Sequence, residues 1–463
     1  MESAVAAGDA IGRGDALRGL AGVTSLQGDR TAAQALFDEA RVAYESVGAQ
    51  DPIGALLNHR GNDAFRLTLY DAAERHWLEA LGVYQASGNL PDQASLLRNL
   101  TFLPRLSIPD KLSLLDEAMA LATAVGDRER QGLIRASQGD KFVAVGDYAA
   151  ALTHQEAAVA LLENSRVGRV HFARALTSLG RTNRLLGNPQ QSIEMNGRAA
   201  PMLDAEGDFE GAAQAYHAIA LAILDLRPSD KEADRLIDHA LALARKSGRP
   251  GSLFSMLRAR ALFELDSLGN FEGALILLDE ADALPVSDQF RWLALSTRAK
   301  ALNAAGRPLE ALAKIDKAIG SEGEVIAQQR AGLYETRAII LERLGRMADA
   351  IDSVSQAIAT TEAIRDRLVP ADQPRRTYAE NVQGILARHV RLLAQSGRME
   401  EALVASERAR ARAFMDLLAT REDQPREPPG PAPSSMFTRA SVPPLAMRGP
   451  DPGGTPTIDD LVT

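Results

Sequence analysis

Gly306-Arg307-Pro308-Leu309-Glu310-Ala311-Leu312-Ala313-Lys314-Ile315-Asp316-Lys317-Ala318 decides how the rest of the chain is read. A turn glycine is followed by a small residue (Ala311), a large apolar residue four positions on (Ile315) and an alanine three beyond that (Ala318). Spacings of four and three place these side chains on one face of a helix. The pattern returns at Gly345 with Ala350, Val354 and Ala357, and at Gly269 with Ala274, Leu278 and Ala281. It is also found at Gly28 with Ala33, Phe37 and Ala40, at Gly146 with Ala151 and Ala158, and at Gly397 with Ala402 and Ala409. Weaker copies fill the gaps: Ala73, Trp77 and Ala80; Lys111, Leu115 and Ala118; Ser192 and Ala199; Ala233, Ile237 and Ala240.

The first small residue of each copy recurs in steps of 37 to 41 residues, with a last step of 52. A unit of that length holds two helices of four to five turns and two short turns. A second glycine series, Gly8, Gly48, Gly88, Gly126, Gly207 and Gly248, runs out of phase and marks the end of the second helix of each unit, since helices commonly close on a left-handed glycine. Small residues at fixed places let paired helices approach closely, and the large residue between them fills the groove.

Composition agrees. The 463 residues include about 80 alanines, 5% aromatics and no cysteine. An alanine-rich chain poor in aromatics favours helices over a sandwich or barrel. Without cysteine there is no disulfide, thiolate metal site or cysteine nucleophile. The net charge of −9 argues against general nucleic-acid binding. No apolar run reaches 18 residues, so no membrane span is expected, and with no signal-peptide pattern at the start the expected location is cytoplasmic. The reading is an all-α, right-handed α-solenoid of about ten helix hairpins over 1–423, followed by a Pro-rich linker over 424–463, where ten of the 22 prolines fall. Residues 1–7 align with 119–125 as the end of a second helix whose first part is missing, and Thr457-Ile458-Asp459-Asp460 reads as a helix start.

The pattern resembles the tetratricopeptide repeat (TPR): a small residue in the middle of the first helix (Gly61, Gly139, Gly180), a turn, small–large–small on the second helix, and an aromatic after the turn at Tyr70, Tyr148 and Phe271. The period exceeds the usual thirty-four and is similar to the long-helix branch of the family. Residues 361–419, from Thr361-Glu362-Ala363-Ile364-Arg365-Asp366-Arg367-Leu368 through Gly397-Arg398-Met399-Glu400-Glu401-Ala402 to Phe414-Met415-Asp416-Leu417-Leu418-Ala419, resemble the junction of bacterial TPR–CHAT proteins, where the array meets a caspase-like peptidase domain. That resemblance implies a regulatory or recognition arm. The family's peptidase dyad contains a cysteine, so the activity does not carry over to this chain.

Nothing in the sequence suggests chemistry of its own. The seven histidines form no metal-ligand spacing, and no phosphate-binding loop or nucleophile elbow occurs. No catalytic residue, metal or cofactor is expected, and the chain is not read as an enzyme. Binding is the expected activity: a scaffold or sensor arm holding a protein or peptide partner of acidic character in its groove. The candidate residues lie on first helices: Asn58, Asn62 and Arg66 on one stripe, the first two matching positions that hold a peptide's terminal carboxylate in carboxylate-clamping TPRs, and Arg174, Arg181 and Arg184 on another. Ala215, Ala218 and Ala222, with Met256, Ala259 and Phe263, suggest that the second half of the groove is apolar. The alternative is a ligand-sensing repeat arm of a signalling ATPase or transcription activator.

Overall fold

The Gly-Asp step, where it occurs, has a double role. At Gly146 the backbone is left-handed (φ 83°) and its N–H donates to Val143 O at 3.1 Å, while the N–H of Asp147 donates to Phe142 O at 3.0 Å. These bonds close the ending helix, and only glycine reaches that conformation without strain. Asp147 then caps the next helix, its carboxylate accepting from the Ala150 N–H at 3.0 Å. Asp29, Asp127, Asp208 and Asn270 do the same after their glycines. Where arginine follows the glycine, at Arg307, Arg346 and Arg398, the side chain instead reaches an acid three residues on, Glu310, Asp349 or Glu401.

This is a computed structural model that describes residues 9–422 apart from 68, 164–167, 229, 287, 321–326 and 366–373. The expectations for residues 1–7, for the linker at 424–463 and for the helix start at Thr457 lie outside the described residues. Among the described residues the chain forms ten hairpins and no strand. In order they are α1 (Ala10–Leu26) with α2 (Arg30–Glu45), α3 (Gln50–Arg66) with α4 (Tyr70–Ser87), α5 (Leu90–Leu100) with α6 (Ile108–Ala124), and α7 (Arg128–Val145) with α8 (Tyr148–Leu162). Then come α9 (Arg169–Leu185) with α10 (Pro189–Ala205), α11 (Phe209–Leu226) with α12 (Lys231–Lys246), and α13 (Pro250–Asp266) with α14 (Phe271–Asp282). The last three are α15 (Asp288–Ala304) with α16 (Pro308–Ile319), α17 (Ala327–Arg343) with α18 (Met347–Arg365), and α19 (Pro374–Gln395) with α20 (Met399–Glu422). The fold is the all-α solenoid that the period predicts.

Within a hairpin, the large residue of the second helix sits on the small residue of the first. A Cβ added at Gly139 would fall 2.6 Å from Gln155 Cγ, and one at Gly61 or Gly180 would strike Trp77 or Asn196. Ala21, Ala299 and Ala338 hold the same place ahead of Phe37, Ile315 and Val354, all buried. A second contact lies seven residues, or two helical turns, away, where Gly54 faces the Tyr84 ring and Gly132 faces Leu162. Two departures occur in the middle of the array. α5 has 11 residues, because Pro104 disfavours helix at the residue before it. In addition, the large position is polar in two successive hairpins. Gln155 is 0% exposed with neither amide atom hydrogen-bonded. Asn196 is equally buried; its amide N–H donates to Ser192 O at 2.8 Å while its oxygen has no partner.

Two outcomes follow from this packing. Gly54→Ala should destabilise the protein by about 1–3 kcal/mol in urea unfolding, although helix propensity alone favours alanine by about 1 kcal/mol; a gain in stability would mean that the glycine is not an interface residue. Gln155→Leu should raise stability by about 1–3 kcal/mol, because it removes an unsatisfied buried amide at nearly constant volume. A loss in the same measurement would show that the amide is satisfied in solution.

Candidate functional site

The close approaches between helices that are not consecutive join first helices to first helices: α1 to α3, α5 to α7, and so on to α15 with α17. Second helices of neighbouring hairpins are linked mainly by long side chains, such as Arg41 with Glu79 and Arg245 with Glu280. The first helices are therefore crowded on the inner side of the curve and the second helices spread on the outer side, as in other stacked repeats. The inner face is where side chains of several repeats converge.

Asn58, Asn62 and Arg66 lie on α3, as read from the sequence, and the first two are joined by a residue that the sequence reading missed. Asn99 of α5 donates its amide N–H to Asn58 Oδ1 at 3.1 Å and to Asn62 Oδ1 at 3.3 Å. Asn62 Oδ1 also accepts from the Trp77 indole N–H at 3.1 Å. The side-chain N–H groups of Asn58 and Asn62 make no hydrogen bond among the described residues. Arg66 stands apart from the two amides, paired with Asp63, which also accepts from the Ser25 hydroxyl.

Arg174, Arg181 and Arg184 all lie on α9, and each already has a carboxylate. Arg174 grips Asp208 at 2.6 and 2.9 Å, a fork-to-carboxylate pair. Hydrogen bonding to Asp208 raises the Arg174 pKa. Burial would raise that of Asp208, but hydrogen bonds from Arg174 and from the Gly211 N–H hold it below its ordinary value. Arg181 pairs with Asp140 of α7 at 3.0 Å, and Arg184 with Asp225 of α11 at 3.0 Å. The expectation of a concentrated positive stripe at these three residues is thus corrected. They are struts between neighbouring repeats, with their charge largely offset. The signal was present in the sequence, since Asp140 and Asp225 lie one repeat period before Arg181 and after Arg184.

The apolar half of the groove needs a correction too. Ala215, Ala222, Met256, Ala259 and Phe263 are buried in the core, and Ala218 is half-buried. The positions equivalent to Asn58 in those hairpins, ten residues after the glycine that precedes the first helix, are His217 and Arg258. His217 is half-buried on the inner face, where burial first and the Arg258 and Arg184 cations second push its pKa down to about 4. Arg258 is held below its ordinary pKa by burial alone.

A second unforeseen group lies at the break after α5. Phe102 is 39% exposed, with the Arg98 guanidinium 5.4 Å and the Lys141 ammonium 5.3 Å from its ring centre. Burial pulls Arg98 down to about 10. Burial, then the Lys111 charge, pull Lys141 down to about 8 against the weaker opposing pull of Asp140. The Arg98 charge also reaches inward: after burial, it is the main influence holding His171 of α9 below its ordinary pKa, two hairpins away.

No family model matches this chain, and no curated protein matches it in sequence. Its similarities are to solved structures. A Rap protein complexed with competence and sporulation factor superposes at a TM-score of 0.56 with 15% identity, covering 80% of this chain and 99% of that one. The quorum sensor NprR in complex with its cognate peptide NprX gives 0.46 at 14% identity over 74% and 95%. A signal transduction ATPase with a tetratricopeptide repeat sensor from Pyrococcus horikoshii gives 0.48 at 15% identity over 88% and 64%. What is shared at such identities is the fold, a tetratricopeptide-type array of helix hairpins.

Proposed function

We propose that this chain is a recognition arm without catalysis of its own, and that its inner face holds an extended peptide segment of a partner bearing acidic groups. The observation that carries this reading is the row of polar and cationic side chains along the first helices that the fold itself does not use. The Asn58 and Asn62 amide N–H groups are unspent, and Arg98, Lys141 and Arg258 have no carboxylate partner among the described residues. Amides on such a row can bind the backbone carbonyls of an extended chain, and the cations its acids. The Rap protein, of similar fold, is complexed with competence and sporulation factor, which supports a binding role for arrays of this architecture. The finer reading, an arm belonging to a CHAT-type protein, rests on the sequence of residues 361–419.

The test is selection from a display library of random peptides of about 12 residues, long enough to span roughly 40 Å when extended. Acidic peptides should be enriched, and their affinity should fall as salt rises, because the exposed part of the attraction is screened over about 8–10 Å. Asn58→Asp with Asn62→Asp should weaken them at least about tenfold, since the change adds like charge to the inner face. A selection that returns no acidic bias, or peptides indifferent to salt and to both substitutions, would refute the assignment.

A further inference from the structure

The third hairpin departs from the repeat where the inner face is most cationic. Its first helix stops at Leu100, and the chain runs through Thr101–Leu106 before α6 begins. Leu103 turns into the core, 1% exposed, while the neighbouring Phe102 stays at the surface. Arg98 comes from the last turn of α5 and Lys141 from α7, and both stand over that one ring. Arg181 and Arg184, by contrast, are each joined to an acid one repeat period away, Asp140 and Asp225. The residues one period from Arg98, Gln138 and Gly139, and the one from Lys141, Thr182, carry no charge. Around Lys141 the charged neighbours are Lys111, Arg98 and Asp140, and Asp140 is already committed to Arg181. Two cations share an aromatic ring, which offsets their burial only in part.

We propose that Arg98 and Lys141, over the Phe102 ring, form a receptor for a carboxylate group carried by the peptide in the groove, an inference that rests on the peptide-binding function proposed above. A carboxylate placed between them supplies the counter-charge that the fold withholds. Its hydrogen bonds to a guanidinium and an ammonium, both half-buried, are of the strong, charge-assisted kind. The ring supplies an apolar wall that keeps water from competing.

The test uses the full chain and dye-labelled hexaglutamate with an amidated C-terminus, followed by fluorescence anisotropy at low salt. Arg98→Gln with Lys141→Gln should weaken binding at least about tenfold, while Arg245→Gln on the outer face should leave it unchanged. Hexaserine with a free C-terminus distinguishes the two sources of a carboxylate: if it binds as tightly as hexaglutamate, the receptor takes a chain end, and if it binds weakly, an acidic side chain. Equal binding of hexaglutamate by the wild type and the double variant overturns the receptor but leaves peptide binding by the groove intact. No binding of either peptide by the wild type also overturns the receptor, whereas the broader reading stands or falls on the peptide selection. A readout on the wild type alone guards against a misfolded variant. Lys141 is one of seven lysines, so after reductive methylation with carbon-13 its resonance can be titrated. The amine should titrate near pH 8 without peptide and at higher pH with hexaglutamate bound; an unchanged titration overturns the receptor.

Discussion

The close approach of the two helices in each hairpin is the constraint on which the rest of the structure depends. It is made by side chains that are nearly absent. Gly61, Gly139 and Gly180 leave room for Trp77, Gln155 and Asn196, and alanines do so elsewhere. The gain is dispersion and burial over many small contacts. The turn chemistry only has to deliver the chain into that contact: a left-handed glycine to end one helix and an aspartate or asparagine to begin the next. With the hairpin geometry fixed, stacking repeats at a near-constant period crowds the first helices and brings side chains about 41 residues apart face to face, as with Asn58 and Asn99 or Asp140 and Arg181. The inner face is therefore a consequence of hairpin packing, and its chemistry can be read in steps of one period.

The array is not uniform along its length. The apolar core is continuous from Ala158 to Ala402, but residues 17–103 form a separate cluster and residues 94–134 a small third one. The seams fall near the short α5 and the hairpin whose large position is Gln155. In a linear array each unit is held only by its neighbours, so weak seams are where local opening costs least. The cationic inner-face group at Arg98 and Lys141 lies beside those seams.

Much of this was legible in the sequence, for a physical reason. A repeat writes the same packing rule ten times, so noise at one copy, such as Lys111 or Ser192 in the small position, does not hide the period. The turn glycines, the Asp caps and the fully buried Ala274, Ala311 and Ala350 follow directly from it. The inner face was legible only in part. Asn58 and Asn62 were found as residues four apart on one stripe, at positions that resemble a carboxylate clamp; Asn58 lies three residues before Gly61. Ala215 and Met256 were taken from a different helical phase, which turns out to be core, and the equivalent offset leads instead to His217 and Arg258. Arg174, Arg181 and Arg184 were visible as a cationic stripe, but their neutralisation is a property of the neighbouring repeats and does not show in a single helix. Phe102 was out of reach altogether, because it depends on where α5 breaks.

The distinction between neutralised and unneutralised cations is also what separates structure from function on this surface. An exposed pair such as Arg181 with Asp140 contributes between zero and about 1 kcal/mol, but repeated from hairpin to hairpin it fixes the register of neighbouring first helices. Such arginines need no ligand to account for them. Arg98, Lys141 and Arg258 are different. Burial lowers the pKa of each, which means that the folded state holds their charged forms at a cost. Packing gives no reason to keep a charge there, since a leucine or methionine would cover the same surface without the desolvation penalty. A cation whose burial the fold offsets only in part is best explained by something outside the fold. In an array whose inner face already offers unspent amide donors on the adjoining hairpin, the simplest such thing is an anionic group arriving on an extended chain.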